Sequence, residues 1–444
     1  MLIFVPSVIT LDNVIMMCFS IIRFWSKGWI EKIYISPKFH FSYYGFEWVQ
    51  YLGDYTYLLF IICFFSAFFV AIGYKYRIAI IIFFLSFTYI ELLEKATYLN
   101  HYYFISVFSF MLIFLPAHLY FSADSFISKK TYTKIPKWTT DSIKLLISIV
   151  YIYAGLAKIN SDWLFKAMPL KIWLPSKYDL PLIGENLMQE NWVHFAMSWS
   201  GMIYDLTIPF LLFYRKTRWF AFALVVFFHV FTRVLFPIGM FPYIMIISSL
   251  IFFDASFHNK IISLIRRLLQ FFFKLKLNKK PVLEKIQYPK KPKGLYIVIV
   301  FLAIQLLIPF RYGLYPGELF WTEEGYRFSW RVMLMEKMGY TTFKIVNGKT
   351  QDFFYVNNSD FLTSFQEKQM STQPDFILQY AHYLGDHFAG QGHQNIAIHV
   401  ESYVALNGRL SQEYVDPTVN LLEMEDTFKH KDWILEFNDT IQGI

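Results

Sequence analysis

The sequence predicts a polytopic α-helical membrane protein of about eight or nine spanning helices, followed by a small extracytoplasmic α+β domain rich in strands. Three observations predict it. Of the 444 residues 56% are hydrophobic and 21% aromatic while 17% are charged, too apolar throughout for a soluble chain of this size. Apolar runs close to the length that crosses about 30 Å of hydrocarbon recur as far as Phe310 and then stop. Beyond that point polar and apolar residues alternate, and five of the eleven histidines lie there. The expected division is therefore 1–310 in the membrane and 311–444 in water.

In chain order the runs are 3–22, 57–73, 77–92, 102–121, 142–160, 197–214, 218–233, 238–257 and 295–310. The first carries Asp12, and several reach only 16 or 17 residues, so one pair could form a hairpin that does not fully cross. The opening MLIFVPSVITLDNVIMMCF has neither a basic start nor a small-residue cleavage site, so no cleavable signal peptide is expected. Cys18 and Cys63 lie far apart within apolar segments and predict no disulfide framework. If all nine runs cross, one set of loops holds Lys75, the four lysines of SKKTYTKIPK, Arg215, Lys216 and eleven basic residues between His258 and Gly294. The opposite loops are longer in total and hold eight. The positive-inside rule makes the first set cytoplasmic, and parity then puts residues 311–444 outside the cytoplasm. The block FKLKLNKKPVLEKIQYPKKPK reads as a topology-setting linker rather than a nucleic-acid site, because positive charge beside a membrane has this routine cause.

Within 311–444, RFSWRVML and TTFKIVNGKTQDFFYV read as strands, the second a hairpin turned at Asn347-Gly348. SDFLTSFQEKQM offers Ser359 or Asp360 as a helix N-cap, and PDFILQYAHYLGDHF has helical spacing ending near Gly390. IAIHVESYVALNGRL reads as another hairpin, turned at Asn407-Gly408.

An ionisable group inside a spanning segment costs roughly 2.5 to 3.5 kcal/mol, so each one is a site candidate. Lys158 ends the run SIKLLISIVYIYAGLAK, and Tyr151, Ala154 and Gly155 share its helix face. Two readings stand level on position alone. The lysine snorkels to the outer surface while the small residues allow helix packing, or a flat ligand lies on the small residues and meets the amine. His101, at the start of its helix, and His229, near the end of another, are placed by parity at the same outer face. Three titratable groups from three helices at one depth make a shared pocket plausible. Glu91, Glu94 and Lys95 lie at that face as rim or as an ion pair, and His118, Lys144 and Arg233 read as interfacial anchors. There is no metal signature: His382 and His387 are five apart with no accompanying ligand set. Walker loop, dinucleotide fingerprint and nucleophile elbow are absent from the sequence.

AGLAKINSDW resembles the Ala-Gly-x-x-Lys-x-(Asp/Asn)-x-Asp-Trp stretch of the vitamin K-dependent gamma-glutamyl carboxylases and their bacterial relatives, the horizontally transferred transmembrane domain proteins. YLNHYYFI, FFHVFTRVLFPIGMFPYIMI and EEGYRFSWRVML resemble further stretches of that family, in order, to about residue 420. The resemblance implies an integral protein of the bacterial inner membrane that uses reduced vitamin K (phylloquinol or menaquinol) with oxygen and carbon dioxide as co-substrates. It implies Lys158 as the base that deprotonates the quinol and His101 in the carboxylation half. Asn100, Ala154, Gly155 and His229 are implied as cofactor-pocket residues, the two small ones leaving room for the ring. The partners implied are a glutamate-containing protein or peptide and the bilayer, with no nucleic acid. Two departures stand out. Phe231 and Thr232 replace the family's Met-Asn, and MEKMGYTT replaces a stretch rich in His and Arg. They keep open a quinol epoxidase without peptide carboxylation, or a non-catalytic membrane module that binds quinone or lipid.

Overall fold

The computed structural model describes residues 17–118, 122–132, 135–181, 183–273, 284–286 and 294–443. Among these, six helices are long and apolar enough to cross a membrane: α2 (Tyr55–Ile72), α3 (Tyr76–Leu93), α5 (Trp138–Leu156), α6 (Asn191–Phe213), α7 (Arg218–Leu235) and α10 (Leu295–Leu307), the last extended by a 3₁₀ turn to Leu314. Two shorter apolar helices are α1 (Met17–Ser26) and α4 (Asn100–Phe114). Six of the nine expected runs form such helices. The first run lies mostly outside the described residues. The run expected over 102–121 stops as a helix at Phe114, with Pro116 just beyond, where it cannot continue the hydrogen-bond ladder. The run expected over 238–257 is broken: α8 (Phe241–Ser249) with its short extension to Phe252 meets α9 (Ala255–Phe273) at a bend of 119°.

Helix α5 is the axis of the bundle, with 72% of its apolar window buried. Its core serines and threonines need no distant partner. Thr139, Thr140, Ser142 and Ser148 each donate to a carbonyl three or four residues back, so the helix carries hydroxyls into the core without orphaned donors. It packs against α6 and α10.

The C-terminal region is built on a four-stranded antiparallel sheet: β1 (Lys337–Asn347), β2 (Phe353–Tyr355), β3 (Ile396–Leu406) and β4 (Gln412–Glu413), in the order β2-β1-β3-β4. The long pair runs in register from Lys337 opposite Leu406 to Asn347 opposite Ile396. Alternation gives it one buried face, with Thr341, Phe343 and Ile345 beside Ile398, Val400 and Ser402. Helices α11 (Ser364–Met370) and α12 (Pro374–Gly390) pack against these strands. Both hairpins read from the sequence are present, and α12 ends at Gly390 as its spacing predicts. The N-cap of α11 is Thr363, in a capping box with Gln366, rather than Ser359 or Asp360, which belong to a separate 3₁₀ turn.

RFSWRVML is not a strand. Phe328, Trp330 and Met333 all adopt left-handed backbone angles, with φ of 61°, 57° and 53°. Tertiary bonds hold this strap against its own preference. The Phe328 N–H donates to Tyr98 Oη at 2.8 Å, the Asn100 side-chain amide donates to the Arg331 carbonyl at 2.9 Å, and Arg311 donates to the Arg327 carbonyl.

The sheet domain is locked to one end of the bundle by a shared apolar core, in which Ala157, Trp163, Met202 and Leu235 join Trp321, Phe343 and Tyr380. Charges reinforce it. Asp375, at the start of α12, binds Lys95 at 3.0 Å and Arg327 at 2.7 Å. Burial alone would push this carboxyl up, but Arg327 and Lys95 hold it well below the usual carboxylate range. Lys95 thus pairs across the domains rather than with Glu91 or Glu94. Glu94 instead accepts from the Ala96 and Phe41 amides and from Gln366 Nε2.

Candidate functional site

The stretch Ala154–Trp163 turns α5 into a short helix, Ser161–Phe165, at the end of the bundle beneath the sheet domain. Each polar residue in it has a structural job. Asn160 accepts from the Trp163 N–H and donates to the Ala157 carbonyl, capping the second helix while closing the first. Asp162 receives Arg409 in a two-pronged pair at 2.6 and 2.8 Å, and the Asn407 amide at 2.9 Å, so it clamps the β3–β4 turn. Burial pushes this carboxyl up, yet the hydrogen bonds from Arg409 and Asn407 bring it below its ordinary value. The Trp163 indole donates to the Ser198 carbonyl on α6 and presents its ring 5.4 Å from Lys158 Nζ.

Lys158 does not snorkel. It is 6% exposed, and its Nζ donates to Asp205 Oδ2 at 2.9 Å and to the Ala154 carbonyl at 3.0 Å. Asp205 lies within α6 and is itself buried. The pair sits in the wall of a cavity with about 810 Å³ of empty space, otherwise lined almost wholly by apolar and aromatic groups, among them Trp163, Trp173, Phe228, Phe236 and Phe241. His229 lines the same cavity, its Nε2 bonded to Tyr151 Oη at 2.9 Å. Ala154 and Gly201 also line it. A Cβ at Gly201 would have only Trp163 within 4 Å, at 3.9 Å. The cavity thus offers aromatic faces, a floor of small residues and one charged pair: the shape and polarity that suit a flat apolar ring carrying a hydroxyl.

Gly155 does not line this cavity. A Cβ there would lie 2.8 Å from Leu206, so Gly155 is where α6 crosses closely over α5. Thr232, standing at the family asparagine position, does line the cavity, and its hydroxyl donates to the His229 carbonyl one turn back.

His101 and Asn100 lie in an adjoining chamber of about 1040 Å³ together with Arg23, Pro237 and Gly239. The two chambers share Ile238, Phe241, Val332 and Met333 as a common wall. The Phe241 ring stands between the histidines, with its centroid 6.2 Å from each imidazole. The ring nitrogens of His101 have no hydrogen-bond partner among the described residues, so they face the chamber. Asn100 has a tethering role as well, since its amide holds the Arg331 carbonyl and its oxygen accepts from Tyr98 Oη. The convergence expected of three titratable groups is present, but as two neighbouring compartments rather than one pocket.

Asp205 was missed from the sequence although its signal was there. A carboxylate inside the apolar run SWSGMIYDLTIPF carries the same bilayer cost that singled out Lys158. The strap residues Val332 and Met333 carried no signal, because only the fold brings them over the helix ends.

Two family models match the chain: the HTTM domain over residues 7–257, and the vitamin K-dependent gamma-carboxylase, lumenal domain, over residues 290–440. No solved structure matches the chain.

Proposed function

Because the chain belongs to the vitamin K-dependent gamma-glutamyl carboxylase family, we propose that it is a membrane enzyme that oxidises a reduced vitamin K quinol to its epoxide and carboxylates glutamate side chains of a protein substrate outside the cytoplasm of a bacterial cell. The observation that carries this reading is the Lys158–Asp205 pair in the wall of an aromatic cavity at the end of the bundle under the sheet domain. A quinol ring would lie on Ala154 and Gly201 between aromatic side chains, with a hydroxyl toward Lys158. Bound there, reduced vitamin K with oxygen would supply a base strong enough to deprotonate the γ-carbon of glutamate, beyond the reach of any side chain at neutral pH, and carbon dioxide would add to that carbon.

The chain's own residues have three tasks. The first is to accept the hydroxyl proton. Two of the three positions around Lys158 Nζ are engaged by Asp205 Oδ2 and the Ala154 carbonyl, leaving one for the cavity. Moving a proton from Nζ to Oδ2 along the 2.9 Å contact frees the amine lone pair, which then takes the hydroxyl proton. The ammonium so formed stands beside the negative charge left in the cavity, where the low dielectric strengthens the attraction. The second task is exclusion of water, performed by the aromatic lining and by Val332 and Met333 of the strap. The third is handling of the glutamate half-reaction, for which His101 is placed one wall away with its ring nitrogens open to the adjoining chamber.

That wall supports a second reading, epoxidation without carboxylation, because Phe241 and Met333 separate the Lys158 cavity from the His101 chamber. Purified protein given reduced vitamin K, labelled bicarbonate and a glutamate-rich peptide distinguishes the two. Epoxide with label in the peptide supports the first, epoxide alone the second, and neither product sinks both in favour of a non-catalytic module.

A further inference from the structure

A cavity with about 390 Å³ of empty space lies inside the bundle, lined by Met17 of α1, Ile80 and Phe83 of α3, Phe104 and Phe108 of α4 and Ile244 of α8. Each of these side chains is buried. The rings of Phe104 and Phe108 stack, with centroids 5.6 Å apart, and form one apolar wall. Among the described residues the polar group in the lining is the Ser109 hydroxyl, which is turned back to donate to the Ser106 carbonyl of its own helix at 3.0 Å. A buried water makes about two to four hydrogen bonds, and this lining offers it little beyond the lone pairs of that one oxygen. Such walls favour an apolar guest over water.

The position of the cavity ties it to the chemistry. On α1, Met17 faces the cavity and Ser20 the His101 chamber; on α4, His101 faces the chamber and Phe104 and Ile105 the cavity; on α8, Phe241 faces the chamber and Ile244 the cavity. The same three helices thus wall both spaces one turn apart, about 5.4 Å along each axis. The cavity is the deeper of the two, because α4 starts at the corner that holds the strap and runs from there into the bundle. The other face of α1 exposes Phe19 and Ile22, so a helix that walls the cavity also borders the apolar outside of the bundle.

We propose that this cavity binds molecular oxygen drawn from the bilayer and holds it for the reaction in the neighbouring chambers. The proposal rests on quinol oxidation as read above, of which oxygen is a co-substrate. Oxygen dissolves more readily in hydrocarbon than in water, and it has neither a dipole nor a hydrogen-bonding group that this lining would leave unmet. Carbon dioxide has polar bonds and finds no free donor there among the described residues.

Oxygen itself is the probe, because it is paramagnetic. The full chain in lipid nanodiscs, with Ile and Met labelled at their methyl groups, is equilibrated under nitrogen and then under oxygen. Met17, Ile80, Ile105 and Ile244 line the cavity, whereas Ile143 and Ile147 are buried in α5 and line neither the cavity nor the chambers. The oxygen-induced methyl relaxation of the first group should exceed that of the second at least about threefold, as expected of a cavity that concentrates an apolar guest. Ser109→Leu, which places an apolar side chain in the cavity, should remove the excess, and Leu112→Phe is a second filling variant if the first does not fold. In the epoxide assay the filled protein should show KM for oxygen raised at least about threefold, and by more than KM for the quinol, the pattern of a lost binding step. Equal relaxation of the two methyl groups of residues, an excess that survives filling, or an unchanged KM for oxygen in a folded filled variant would each overturn the proposal. A wild type that makes no epoxide would remove the quinol reading, and the methyl relaxation would still decide whether the cavity takes oxygen.

Discussion

At the scale of single residues, the chemistry turns on how a lysine is kept deep in an apolar bundle. Its partner is forty-seven positions away on another helix, and neither charge is tolerable alone in that setting. Asp205→Asn should therefore destabilise the fold by about 3 to 5 kcal/mol if Lys158 stays charged, and should lower epoxide formation about as far as Lys158→Ala does. The double variant should be little worse than either single one, because the two groups act as a unit; additive losses in a thermal-shift and rate comparison would show them to be independent. Lys158, Ala154 and His229 were legible in the sequence as neighbours, since a bilayer leaves few reasons for polar groups at helix ends. Pairing across distant helices was not: Asp205, between Tyr204 and Leu206 in an apolar run, carries the same signal as Lys158, but nothing in the sequence names one as the partner of the other.

At the scale of elements, small residues do two different jobs on the α5–α6 contact. Gly155 is spent on helix packing against Leu206, while Gly201 opens the floor of the cavity. Helical spacing puts Ala154 and Gly155 near Lys158 but cannot say which of them another helix will cover. Gly201→Leu should fold, because its side chain has open space to enter, and should abolish epoxide formation by filling the place of the ring; normal turnover in a folded Gly201→Leu protein would relocate the quinol. The strap is the opposite lesson. RFSWRVML has strand-like composition, yet its hydrogen bonds with Tyr98, Asn100 and Arg311 bend it over the chambers. Non-glycine residues in left-handed conformations leave no mark in sequence, because only tertiary contacts make them tolerable.

At the scale of the whole molecule, the sheet domain is attached to the bundle by charges as well as by apolar contacts, and Glu94 should make that attachment sensitive to pH. Burial pushes this carboxyl up to about 7. A carboxyl that holds its proton more tightly when folded makes stability fall as pH rises from its ordinary value, near 4.5, through about 7, and above that the loss is complete. The melting temperature of purified protein should therefore contain a component that declines across this window and vanishes in Glu94→Gln; an unchanged slope in the variant would assign it elsewhere. The hairpins were legible from turn residues, whereas run length alone does not reveal that α4 stops early or that α8 and α9 bend apart. Lys158 as the base for a quinol bound beneath the sheet domain is the proposal on which the chemistry rests. The most direct measurement is epoxide formation from reduced vitamin K by reconstituted wild-type and Lys158→Ala protein, both shown to be folded by thermal melting. At least about a hundredfold loss is expected in the variant, the scale of one positioned proton acceptor, and epoxide at the wild-type rate would show that Lys158 is not the base.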